Sequence, residues 1–127
     1  MRVPEKQVAA LQGLLRAEGG AMAVAMAAIA WDLGPPWWLV VAVLAAPDLS
    51  FAAYAFGPRA GAAGYNAAHT YLVPAALAGI GLTTVSMTTI AVATLWALHI
   101  GVDRALGFGL KYRAGFRHTH LGPIGRE

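Results

Sequence analysis

From about Ala62 to Gly101 the chain runs for roughly 40 residues with few breaks in its apolar character. A helix of that length, at about 1.5 Å per residue, would reach about 60 Å, twice the roughly 30 Å hydrocarbon core of a bilayer. The stretch must therefore fold back on itself. Gly79-Ile80-Gly81 supplies a hinge, which predicts two helices over about 62–79 and 82–102 joined by a tight turn. Two further apolar regions precede it, at about 8–31 and 37–56, separated by Asp32-Leu33-Gly34-Pro35-Pro36 and closed by Gly57-Pro58-Arg59-Ala60-Gly61. Glycine and proline at these densities mark turns. Trp37 and Trp38 stand where an interfacial aromatic belt is expected.

Hydrophobic residues make up 58% of the chain and charged residues 12%, against about a quarter charged in soluble domains. A surface so poor in charge has to face lipid. The expectation is an all-α integral membrane bundle of four transmembrane helices. It forms a single domain over 1–127, with an interfacial segment and short tail from 103 to 127. The tail is polar and Gly-rich, and either folds back under the bundle or stays loose. No cleavable signal peptide is evident, because Arg16 and Glu18 interrupt the first apolar region.

The basic residues orient the chain. Arg2, Lys6 and Arg16 precede or open span one, Arg59 lies between spans two and three, and Arg104, Lys111, Arg113, Arg117 and Arg126 follow span four. In a four-span topology these regions share one side, so the positive-inside rule places both termini in the cytoplasm. The net charge of +3 is thereby explained by topology and anionic lipid, and no nucleic-acid motif accompanies it. Cysteine is absent, which excludes disulfides, thiolate metal sites and cysteine nucleophiles.

Titratable groups inside spans are costly and mark function. Glu18, Asp48, His69, His99 and Asp103 all fall about 10 Å below the cytoplasmic surface when the helices alternate in direction. His99 and Asp103 are four apart and share a helix face. Asp48, His69, His99 and Asp103 make a plausible divalent-metal set, with zinc suited to imidazole and manganese or iron allowed by the carboxylates. His118 and His120 in the tail are further candidate ligands. Asn66 and Thr70, at helical spacing around His69, are candidates to orient its second nitrogen. Zinc-bound water near neutral pKa would serve hydrolysis, with Glu18 a candidate general base. Arg59, Arg104, Lys111 and Arg113 are candidates for an anionic lipid head group. Two alternatives stay open. Asp48–His69 and Asp103–His99 could be hydrogen-bonded pairs that pin helices without metal, or the polar layer could conduct protons or ions in a small transporter, sensor or accessory subunit. An Ala- and Gly-rich surface also suits homo-oligomer packing.

Two resemblances follow from particular segments. Leu14-Leu15-Arg16-Ala17-Glu18-Gly19, Ala46-Pro47-Asp48-Leu49-Ser50, Tyr65-Asn66-Ala67-Ala68-His69-Thr70, His99-Ile100-Gly101-Val102-Asp103-Arg104, Gly107-Phe108-Gly109-Leu110-Lys111-Tyr112 and Thr119-His120-Leu121-Gly122 together look like an uncharacterised bacterial family of small membrane proteins. That resemblance implies a protein of the bacterial cytoplasmic membrane and does not indicate an activity. The order Pro-Asp-Leu, His-Thr and then HxxxD remotely resembles the inner-membrane metal-dependent hydrolase family and one metal site of the zinc-dependent phospholipases C. This implies Asp48, His69, His99 and Asp103 as ligands of one ion and a hydrolytic activity on a lipid or amphiphile. The chain departs from the hydrolase pattern in keeping only His69-Thr70 of a longer motif.

Overall fold

Proline and glycine set the boundaries of nearly every element in the computed structural model, which describes residues 2–125. Helix α1 (Glu5–Leu33) ends where Gly34 turns left-handed, at φ 57°, and Pro35-Pro36 cannot continue a helix. Helix α2 (Trp37–Ala45) tightens into a 3-10 helix over Ala46–Phe56, beginning where Pro47 withdraws a backbone N–H. Gly57, at φ 106°, turns the chain into α3 (Pro58–His69). Helix α4 (Leu72–Thr84) follows after a break, and α5 (Met87–Leu106) ends at Gly107 with φ 93°. Past α5 the chain forms a small antiparallel hairpin of β1 (His118–Thr119) and β2 (Gly122–Pro123).

The all-α class expected from the sequence holds, but two boundaries differ. The expected single helix over 62–79 is two helices, broken at Thr70, whose ψ of 145° is extended. The proline ring of Pro74 would clash with the Thr70 carbonyl in a continuous helix, and the extended ψ removes that clash. The expected hinge at Gly79-Ile80-Gly81 lies inside α4, and the turn comes at Val85-Ser86 instead. Gly81 serves close packing there: a β-carbon on it would stand 2.8 Å from the Ile90 side chain of α5. The true boundary carries an N-cap, with the Ser86 hydroxyl accepting from Thr89 N–H at 3.2 Å. Three helices are long and apolar enough to cross a membrane: Glu5–Leu33, Trp37–Phe56 through its 3-10 portion, and Met87–Leu106. The broken pair α3–α4 does not meet that criterion helix by helix.

The core is built on small residues. Helices α1 and α5 approach backbone to backbone at Gly19 and Gly101, where a β-carbon on Gly101 would lie 2.8 Å from both Ala23 N and Gly19 O. The 3-10 helix and α3 close as a hairpin because Gly61 gives room to the Tyr54 ring and Gly64 to Ala53. Buried residues such as Ala62, Ala91, Ala93, Leu95 and Ile100 fill the interior, while Trp31, Trp37, Phe56 and Leu72 face outward.

The tail folds back under the bundle. Asn66 on α3 holds it from both sides, donating to the Lys111 carbonyl at 2.9 Å and accepting from Lys111 N–H at 2.7 Å. Lys111 is buried at 4% exposure, so its ammonium does not reach a lipid surface. It donates to the Phe116 carbonyl at 2.8 Å and lies 3.7 Å above the Phe116 ring. Burial lowers its pKa from the ordinary lysine range. Arg126, counted among the basic residues above, lies outside the described residues.

Candidate metal centre

Asp48, His69, His99 and Asp103 come from three separate parts of the chain and converge on one point. Asp48 sits in the first turn of the 3-10 helix, His69 is the last residue of α3, and His99 and Asp103 lie one turn apart on α5. Each offers one ligand atom, and all four atoms lie within 4.8 Å of one another. His69 Nε2 is 3.4 Å from Asp48 Oδ1 and 3.5 Å from Asp103 Oδ2. His99 Nε2 is 3.3 Å from Asp48 Oδ1 and 3.2 Å from Asp103 Oδ2. The two Nε2 atoms are 3.3 Å apart.

The other ring nitrogens fix how the two imidazoles face the cluster. His69 Nδ1 lies 2.8 Å from the Tyr65 carbonyl, and His99 Nδ1 lies 2.7 Å from the Leu44 carbonyl. A carbonyl only accepts, so both Nδ1 atoms carry a proton and both Nε2 atoms turn toward the cluster, as a lone pair in a neutral ring or as a donor to the carboxylates in an imidazolium. Two Nε2 atoms and two carboxylate oxygens then face one another, an arrangement that a ring proton or a bound cation would hold.

The spacing can be set beside the geometries that metal ions prefer. Bonds of about 2.0–2.1 Å in a tetrahedron separate neighbouring donors by about 3.3 Å. Octahedral coordination at the same bond length brings neighbouring donors to about 3.0 Å. Five of the six separations among the ligand atoms, 3.2–3.5 Å, lie near the tetrahedral value, and the sixth, between Asp48 and Asp103, lies within 4.8 Å. A set of two imidazoles and two carboxylates suits zinc.

Local structure holds each ligand. The Leu44 carbonyl is available to His99 because its 3-10 partner three residues on would be Pro47, which has no N–H. The Tyr65 ring stacks on His69 with centroids 3.8 Å apart and planes 8° from parallel. Where α3 stops, its last carbonyls are taken by α5: Trp96 Nε1 donates to Ala68 O at 2.7 Å, and Arg104 Nη2 donates to His69 O at 3.1 Å. The His69 and His99 side chains are 3% and 9% exposed, Asp103 is 21% exposed and Asp48 52%, so the centre opens on its Asp48 side. A groove of about 270 Å³, lined by Leu44, Leu98 and Val102, reaches His99 and Asp103 from the apolar exterior.

The remaining candidates lie elsewhere. Glu18 lines a different cavity, shared with Arg104. The acceptor that orients His69 is the Tyr65 carbonyl, while Asn66 holds the tail and the Thr70 hydroxyl faces Leu72 N–H. His118 is exposed in β1. His120 Nδ1 accepts from Leu110 N–H at 2.9 Å, and its Nε2 lies 3.0 Å from the Arg104 guanidinium, outside the four-residue cluster. Arg59 and Arg113 are exposed, at the start of α3 and in the tail. The carbonyl partners of the two histidines and the roles of Trp96 and Tyr65 escaped the sequence reading. An indole in an apolar helix, whose N–H needs a partner, was the available signal.

The family model described as "Domain of unknown function (DUF4260)" matches residues 12–124. The chain belongs to this family. All four cluster residues fall inside the matched region. No curated protein and no solved structure matches the chain.

Proposed function

We propose that the chain is an integral protein of the bacterial cytoplasmic membrane that binds one zinc ion through Asp48, His69, His99 and Asp103. In this reading the ion serves hydrolysis of an ester- or phosphoester-bearing amphiphile. The observation that carries the metal reading is the convergence of four candidate ligand atoms within 4.8 Å of one another, with both Nδ1 atoms committed to carbonyls. What favours an amphiphile is the apolar groove of Leu44, Leu98 and Val102 that ends on His99 and Asp103. Zinc there would supply a Lewis acid, and a bound water of near-neutral pKa where one of the four donors, such as the half-exposed Asp48, leaves a coordination position open. The chain's own contribution is to hold both imidazoles in one tautomer and to keep an exposed carboxylate, Asp48, at the open side.

Four spans with both termini cytoplasmic remain the proposed topology, with α3 and α4 together forming a broken third span. Broken helices are tolerated at membrane depth when other groups take up the freed carbonyls. Trp96 and Arg104 take up those of Ala68 and His69. Reporter fusions at both ends test the orientation, and reporter activity from the outer side would refute it.

One observation favours a second reading. Four protein donors complete a tetrahedron, as in structural zinc sites, so the ion could serve only to clamp the 3-10 helix and α3 against α5. Elemental analysis of detergent-purified protein, beside His99→Ala and Asp103→Ala variants, is the first test. About one zinc per chain, lost in both variants, is expected. Absence of metal from the parent after zinc or manganese supplementation overturns the metal reading. With metal shown, hydrolysis of chromogenic long-chain esters and phosphoesters that disappears on chelation separates the catalytic from the clamping role.

A further inference from the structure

A second cavity system lies on another face of α5, enclosed by α1, α4 and α5. One part, a groove of about 420 Å³, is apolar and lined by residues including Met26, Ile29, Ala78 and Ala97. The other, a polar mouth of about 400 Å³, is lined by Glu18 and Arg104. The two adjoin, with Met22 and Tyr71 lining both. From Glu18 to Ile29 along α1 is about 16 Å, half the roughly 30 Å hydrocarbon core. The groove has the length of one leaflet, with its charged end at the cytoplasmic side of the proposed topology.

The mouth has polar capacity left over. The Tyr71 hydroxyl is buried and has no hydrogen-bond partner, an arrangement that buried hydroxyls rarely keep. Arg104 spends two of its nitrogens on His69 O and His120 and keeps the rest of its fork. Among the described residues no ion pair joins Glu18 to Arg104, although both line the same space. A carboxylate and a guanidinium set apart at the end of an apolar groove complement a zwitterion with a tail.

We infer that this groove holds one phospholipid whose head group carries a phosphate and a primary ammonium. The phosphate meets Arg104, the ammonium donates to Glu18, and an acyl chain lies along Met22, Met26 and Ile29. The glycerol hydroxyls of an anionic head group can donate to Glu18 but bring no positive charge to its carboxylate. A trimethylammonium has no N–H to give. The inference rests on the membrane reading and is independent of the zinc.

Native mass spectrometry of the full chain, equilibrated in micelles with equal amounts of phosphatidylethanolamine, phosphatidylcholine and phosphatidylglycerol, tests it. One retained phosphatidylethanolamine per chain is expected, preferred over the other two by about tenfold, the size of one charge-assisted hydrogen bond. Glu18→Gln should reduce that preference to near parity, and Ala78→Phe should abolish retention while zinc content is unchanged. No retained lipid in the parent, equal retention of all three, or a preference untouched by Glu18→Gln overturns the proposal. Release of the protein from membranes without detergent removes the membrane reading and this inference with it, whereas zinc content scores the metal reading separately.

Discussion

At Gly101 the backbones of α1 and α5 touch, and a β-carbon there would stand 2.8 Å from Ala23 N and from Gly19 O. Comfortable contacts of a carbon atom are about 3.5 Å or more, so Gly101→Ala must push the helices apart by roughly 0.5–1 Å. Overpacking of this kind costs about 1–3 kcal/mol. The displaced segment carries His99 and Asp103, two residues to either side, and metal bonds tolerate only about 0.2 Å. Gly101→Ala should therefore lower both thermal stability and zinc affinity, the latter by about tenfold, which corresponds to about 1.4 kcal/mol. Gly13→Ala in α1 is the control, since nothing lies within 4 Å of a β-carbon there, and alanine in an open helical position gains about 0.5–1 kcal/mol. Thermal unfolding in detergent with and without zinc, together with competition against a chromogenic chelator, measures both quantities. If Gly101→Ala melts with Gly13→Ala and binds zinc like the parent, the close crossing does not position the centre and the reasoning fails.

Pro47→Ala returns an N–H that can compete with His99 for the Leu44 carbonyl. Loss of such a partner costs about 10- to 100-fold in metal affinity, so zinc competition should show a weaker site, and an unchanged affinity would deny the orienting role of Leu44. Gly79→Ala should raise stability by about 0.5–1 kcal/mol, because Gly79 is inside α4 with open space around it; destabilisation would restore a hinge there. Burial and the Arg104 guanidinium lower the pKa of His120 below its ordinary value of 6.5. The unfolded ring then binds protons more readily than the folded one, so the contribution of His120 to tail docking is intact above pH 6.5 and is lost as pH falls below it. Limited proteolysis of the tail between pH 7.5 and 5 should show protection falling in the parent, and much less pH dependence in His120→Gln; equal profiles would exclude the histidine as the titrating group.

The convergence of Asp48, His69, His99 and Asp103 was legible because alternating helix direction predicts a common depth for them, and four-residue spacing gives His99 and Asp103 a common face. Depth and face are one-dimensional properties of a helix, and sequence carries them. Which carbonyl each imidazole would find was not legible, because Leu44 and Tyr65 contribute only backbone and that choice depends on packing. The turn between α4 and α5 was misplaced for a related reason. Gly79 and Gly81 are conspicuous in sequence, but Gly81 has a packing role against Ile90, while the actual turn puts the β-branched Val85 in a left-handed conformation at φ 54°, a choice that local preference argues against. The break at Thr70 was half visible: Pro74 marked a disturbed helix, but only the fold shows that it splits α3 from α4.

The two disturbed helices and the polar centre support each other. In an apolar surrounding each freed backbone carbonyl is costly unless something donates to it, and each buried imidazole is useful only if its tautomer is fixed. Pro47 leaves the Leu44 carbonyl open, and His99 takes it with its Nδ1 proton, which turns Nε2 inward. The end of α3 leaves the carbonyls of Ala68 and His69 open, and Trp96 and Arg104 take them. All three donors sit on α5 at positions 96, 99 and 104, within about two turns of one helix. A regular α5 thus satisfies both breaks from one side, and the same turns present His99 and Asp103 to Asp48 and His69. Straightening either broken element would remove an acceptor that α5 requires and would move one of the four residues away from the cluster, so the irregular backbone and the polar cluster stand or fall together.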